Sequence, residues 1–348
     1  MNRLRNKNLH LLLLTLGLLT VSLACATAET LVNGTATPVP TSTATLTPTP
    51  AETPTTTAVP TVDWTPIACE GGDCIDACMA RVEAILEVSP YKDLTDEVKS
   101  GSTDYELATY PVNGNEIGDL ETAWAPKEYK IFQKDQNTHR RIWNYFTSVI
   151  PEEMRKRVDE FIVFTDGPRN RLAYVKPTSD DTQTWAIAFD ILDSDYPPYL
   201  TETLVHEVGH LVTIDAAQLD TDNHSASACK TFLLPEGCST KDSYISQFYK
   251  RFWPDLTNEW SEVEAAHSEA EYRVLVENFY RRHSNEFVSS YAATSPIEDI
   301  AESWAVFVLT PKPEEKSVAD EKVLFFYDFP ELVTYRQQII QGLCSYTQ

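Results

Sequence analysis

The chain has 348 residues, 42% hydrophobic and 23% charged, an ordinary globular composition that suits one large domain or two modest ones. Its formal net charge of -24 argues against nucleic acid and anionic membrane surfaces as partners, because both repel a negative surface. The acidity says nothing about the fold.

The opening stretch, "MNRLRNKNLHLLLLTLGLLTVSLACATAET", predicts export. Arg3, Arg5 and Lys7 form a positive n-region, and Leu11 to Ala24 form an apolar run too short for a comfortable membrane span. Residues 1–28 read as a signal peptide with two processing outcomes. Ala26-Thr27-Ala28 is a small-x-small cleavage site, whereas Ser22-Leu23-Ala24-Cys25 resembles a bacterial lipobox with Ser22 where leucine is usual. Loss of the signal removes three positive charges and leaves about -27. Residues 29–62 are a threonine- and proline-rich linker, too poor in apolar residues to form a core. Such a spacer favours a lipoprotein anchored at Cys25 over a freely secreted protein. The expected location is extracellular or cell-surface, with the membrane met only through that anchor and the protein a monomer.

The folded domain is expected over residues 63–348. "CIDACMARVEAILEV" carries Ile75, Met79, Val82, Ile85 and Leu86 at helical spacing. Residues 91–125 are polar and give no periodic signal. From Asn137 a helical stripe returns with Ile142, Tyr145, Phe146 and Val149. Three short β-branched and aromatic runs follow, "EFIVFTDG", "RLAYVKP" and "TWAIAFDIL", and read as strands. The last of them is the expected free edge along which an extended peptide would align. After "LVHEVGHLVT" come two further helices. One has Tyr272, Leu275, Val276 and Phe279 on one face; the other, "PIEDIAESWAVFVL", has proline in its first turn. Strands followed by helices predict an α+β fold with a small mixed sheet and a helical C-terminal part. Six cysteines remain beyond Cys25: Cys69, Cys74, Cys78, Cys229, Cys238 and Cys344. In an oxidising compartment they imply up to three disulfides, with Cys229–Cys238 the favoured pair because it closes a short loop.

The chemistry concentrates in "LVHEVGHLVT". His206 and His210 are four apart, so a helix puts both imidazoles on one face at a spacing that suits one metal ion. Glu207 stands where the H-E-x-x-H pattern places the general base, and Gly209 would leave room beside the metal. The pattern arises by chance in roughly one chain per hundred of this length, so a third ligand has to decide. Thr213 and Ala216 rule out the metzincin extension, and His224 fits no pattern of the class. Glu298 and Glu302 lie four apart on one helix face amid apolar residues, and buried carboxylates need partners. One could bind zinc while the other holds a ligand histidine by its second nitrogen.

"LVHEVGH" followed by "SSYAATSPIEDIAESWAVF" resembles the zincin metallopeptidases of the glutamate-ligand type, in particular the catalytic domain family of anthrax lethal factor. Tyr291 precedes Glu298 by seven positions and Glu302 follows it by four, as in that family. The resemblance implies a zincin-like fold and a Zn2+ ion held by His206, His210 and Glu298. It further implies Glu207 as base, Tyr291 as hydrogen-bond donor to the developing oxyanion, and Glu302 as the acid behind a ligand. It covers about thirty residues. The 88 positions from His210 to Glu298 exceed the family's usual gap and admit Glu262, Glu264, Glu269 and Glu271 as rival ligands, none of which has the tyrosine and second acid at matching offsets.

The expected function is therefore zinc-dependent hydrolysis of peptide or protein substrates. A cell-surface binding protein with a structural zinc site is the rival from another class. A peptidase held inactive by residues 63–125 is a third reading.

Overall fold

A computed structural model of the chain describes Cys69 and residues 72–86, 104–167, 171–179 and 182–346. The expected signal peptide, Cys25 and the linker lie outside the described residues.

Helix α1 (Gly72–Ile85) buries Ile75 and Val82, the stripe its sequence announces. Strands β1 (Tyr105–Asn113) and β2 (Glu116–Ile117) form a hairpin turning at Gly114, whose positive φ of 62° suits glycine. Short α2 (Lys130–Lys134) leads into α3 (Gln136–Val149), capped by Asp135, whose side chain accepts from the Thr138 N–H. After α4 (Glu152–Arg155) come β3 (Val158–Thr165), β4 (Ala173–Pro177) and β5 (Trp185–Asp190), matching the three apolar runs.

These strands make one mixed sheet in the order β2-β1-β3-β5-β4. Only β3 and β5 run parallel; the other pairings are antiparallel. All six residues of β5 are buried. Trp185, Ile187 and Phe189 join the main core on one face, and Ala186 and Ala188 meet Ile162, Phe164 and Tyr174 on the other. This corrects one expectation: "TWAIAFDIL" is an inner strand, paired on both sides, and the free edge belongs to β4. A run apolar on both faces is the mark of an inner strand, since an edge strand keeps one side to solvent.

Helix α5 (Pro197–Thr213) crosses the sheet beside β4. The long connection after it holds a small sheet of β6 (Leu219–Asp220), β7 (Leu233–Leu234) and β8 (Gly237–Ser239), then α6 (Tyr244–Phe252), α7 (Thr257–Glu264) and α8 (Glu269–Arg282). Helices α9 (Pro296–Leu309), α10 (Val318–Phe325) and α11 (Pro330–Ser345) complete an α+β architecture.

Three disulfides join Cys69 to Cys74, Cys78 to Cys344 and Cys229 to Cys238. The last is the expected pair. The second ties α1 to α11 across 266 positions, and cross-links of long loops contribute about 2–5 kcal/mol by restricting the unfolded chain. Within residues 63–125, β1 pairs with β3 and Cys78 is bonded to Cys344. Cutting them away would remove a strand of the sheet.

Candidate metal centre

Helix α5 is held by its apolar side: Leu200, Leu204, Val205, Val208 and Leu211 are all buried, each worth about 1.5–3 kcal/mol. Its first turn is tied down by the Thr201 hydroxyl, which donates to the Pro197 carbonyl at 2.8 Å and also bonds the Tyr145 hydroxyl. The opposite side carries His206, Glu207 and His210, which are buried as well.

Helix α9 packs directly on α5. It begins with Ser295 as N-cap, accepting from the Glu298 N–H at 3.1 Å, and with proline in the first turn. Glu298 thus sits in the first turn, where the exposed N–H groups and helix dipole favour a carboxylate. Gly209 allows the two helices to approach. A Cβ there would come within 2.8 Å of Trp304 Cδ1 and 3.3 Å of the Ala301 Cα. The glycine makes room for α9 rather than for an ion, which revises its expected purpose. Gly209→Ala should lower stability by about 1–2 kcal/mol, net of the roughly 1 kcal/mol gained in helix propensity. An unchanged or higher urea midpoint would contradict this.

Packed this way, three atoms converge. His206 Nε2 lies 3.1 Å from His210 Nε2 and 3.1 Å from Glu298 Oε2, and His210 Nε2 lies 3.4 Å from Glu298 Oε2. Tetrahedral zinc with bonds of about 2.0–2.1 Å has ligand–ligand edges of about 3.3–3.4 Å. The triangle therefore has the size of one face of such a polyhedron, and the donor set suits the ion. His206 Nδ1 is 2.8 Å from Glu302 Oε1, so the tautomer donating its Nδ1 proton to Glu302 turns Nε2 toward the other two atoms. Glu302 Oε2 accepts from the Ser289 hydroxyl at 2.5 Å, and Ser289 Oγ accepts from the Ala292 N–H at 3.0 Å. His210 Nδ1 has no hydrogen-bond partner among the described residues.

The electrostatics describe a site short of positive charge. Burial works against charging His206, but hydrogen bonds to Glu298 and Glu302 outweigh it and push its pKa up to about 10. Burial opposes ionisation of Glu298 and Glu302 too, yet the histidines hold both below the usual carboxylate range. Glu207 goes the other way: burial raises it, and the nearby histidines only partly offset that.

Tyr291 is 52% exposed, with its ring centroid 5.8 Å from that of His206. Desolvation and then the negative charges of Glu298, Glu207 and Glu302 push its pKa well above the usual phenol range, which keeps the phenol protonated, as a donor must be. Of the six residues read from the sequence, His206, His210 and Glu298 converge on one point, Glu302 stands behind the His206 ring, Tyr291 faces that ring, and Glu207 is within electrostatic reach of both histidines. The rivals do not converge there. Glu262, Glu264, Glu271 and His224 are exposed, and Glu269 is paired with Arg273. Among the described residues, the other group of ligand atoms close enough for an ion is Cys69, Cys74, Cys78 and Cys344, already joined as two disulfides.

Sequence reading missed Ser289, Glu202 and Glu236. Glu202 is exposed yet within electrostatic reach of Glu302 and His206, and Glu236, on the β7–β8 turn, is within reach of His210. No spacing rule marks any of them. No protein-family model, curated protein or solved structure matches this chain.

Proposed function

We propose that the chain is an exported zinc-dependent peptidase of the zincin type, acting on peptide or protein substrates. The observation carrying this reading is the convergence of His206 Nε2, His210 Nε2 and Glu298 Oε2 at 3.1–3.4 Å beside a buried glutamate. Zinc, when bound, supplies a Lewis acid that polarises the scissile carbonyl and makes the attacking water more acidic. Glu207 takes the proton of that water on its carboxylate and delivers it to the leaving amine; its raised pKa brings it nearer to the working pH of such a shuttle. The Tyr291 hydroxyl donates to the oxygen that gains negative charge. Glu302 fixes the His206 ring through Nδ1, and Ser289 fixes Glu302. The open edge of β4, beside α5, offers backbone groups to an extended peptide.

A purely structural metal site has no use for Glu207, whose carboxylate is costly to bury. The test is cleavage of a diverse peptide mixture by the purified protein, with bound zinc assayed in the same preparation. Cleavage that stops with a chelator and returns with zinc is the expected result. Stoichiometric zinc without any cleavage would favour the binding protein instead.

A further inference from the structure

Next to Glu298, on a neighbouring face of α9, Asp299 is fully buried with Lys322 of α10. The Lys322 Nζ lies 2.7 Å from Asp299 Oδ2, and both side chains are 0% exposed. The Trp253 indole N–H donates to the same oxygen at 2.8 Å. Lys322 Nζ also sits 4.0 Å from the centroid of Phe287, with the rings of Trp253 and Phe248 about it at 5.9 and 6.0 Å. One helical turn on, the Ser303 hydroxyl has no hydrogen-bond partner, and neither has Asp299 Oδ1, among the described residues.

This is an expensive way to fill a core. Removing two charges from water costs several kcal/mol per ion, and apolar residues of similar volume often serve stability equally well or better. Orphaned polar atoms add to the cost. An ion pair retained under those terms serves position, and its position is specific. Glu298 and Glu302 share one face of α9, and Asp299 and Ser303 lie about 100° round the helix. The direction in which α9 points its two carboxylates is therefore set by how its Asp299 face is held. At a side-chain radius of about 5–6 Å, a rotation of only 10° moves a ligand oxygen by about 1 Å. Metal sites tolerate about 0.2 Å. Gly209 against Trp304 sets how closely the helices approach.

We propose that Asp299, Lys322 and Trp253 form a positioning device that fixes the rotation of α9, so that Glu298 meets the histidine pair and Glu302 meets His206. This rests on the metal-site reading above. None of the three touches the ligand atoms; they act through the helix that carries Glu298 and Glu302.

The test replaces the pair by apolar residues, Asp299→Leu with Lys322→Met, and measures three things on the full protein. These are the zinc affinity, the visible spectrum of the cobalt-substituted form, and the urea midpoint without metal. The expected result is a midpoint unchanged or higher, a zinc affinity about 10–100-fold lower, and an altered cobalt spectrum. A folded variant with wild-type affinity and spectrum would overturn the proposal. So would an affinity loss matched by an equal loss of stability, since that describes a structural role alone. Should the double variant not fold, Trp253→Phe removes the hydrogen bond to Asp299 together with part of a buried ring; it should weaken zinc binding by a larger free energy than it lowers stability, and no weakening, or one matched by the stability loss, overturns the idea. Failure of the wild-type protein to bind zinc would instead sink the metal-site reading, so the two failures are distinguishable.

Discussion

Glu207→Gln is expected to lower peptide turnover by about 10²–10⁴-fold while leaving zinc content and affinity as they were. Glutamine keeps the volume and the hydrogen-bonding oxygen of the side chain but cannot accept a proton at neutral pH. Glu207 is not one of the three converging ligand atoms, so its substitution leaves the cation's donors intact. Its environment makes the change well tolerated: burial already disfavours the charged form, and a neutral amide avoids that cost. The measurement is kcat on one cleaved peptide together with zinc per chain after dialysis. Retained turnover would remove Glu207 from the mechanism. Loss of zinc along with turnover would mean that Glu207 supports the metal rather than the proton transfer.

The parts of this arrangement that sequence alone conveys are those encoded locally. His206, Glu207 and His210 are legible because a four-residue spacing maps onto one helix face whatever the rest of the chain does. Glu298 and Glu302 are legible for the same reason, once the apolar residues around them show that their helix is buried. The unusually long separation between the two helices does not keep them apart, since α9 packs directly on α5 and the intervening α6 packs on α9 in the same core. Relations between distant elements are not encoded this way. Strand β1 gave no signal because Pro111, Thr109 and Glu106 interrupt its apolar residues, although Leu107, Ala108 and Tyr110 are buried. The place of β5 within the sheet depends on which strands flank it. Its burial on both faces is carried by an unbroken apolar run, the pattern of an inner strand rather than an edge. Lys322 and Asp299 look like two more charges on an acidic surface until the fold encloses them. Ser289 is an ordinary serine until Glu302 is seen beside it.

Glu298→Gln is expected to weaken zinc binding more than Glu302→Gln, and this ranking assigns the two carboxylates. Sharing about 10–16 kcal/mol of site energy among four ligands puts about 2.5–4 kcal/mol, or roughly 10²–10³-fold in affinity, on each of them. Glu298 Oε2 belongs to the converging triangle, and its replacement by a neutral amide forfeits most of one such share. Glu302 touches only His206 Nδ1, at 2.8 Å, from behind the ring. Partners of that kind are worth about 10–100-fold, and the amide oxygen of glutamine can still accept the Nδ1 proton, which places Glu302→Gln toward the low end. The Ser289 hydroxyl supplies an internal control. It bonds Glu302 Oε2, so Ser289→Ala should lower affinity modestly in the wild-type background and add less in Glu302→Gln than it costs alone. Competition with a chromophoric chelator gives all the affinities in one series. Equal losses for the two glutamates would mean that both carboxylates reach the ion, and a larger loss for Glu302 would exchange their roles. Because the triangle of His206, His210 and Glu298 is closed at 3.1–3.4 Å while Glu302 stands on the far side of the His206 ring, the geometry favours the first ranking.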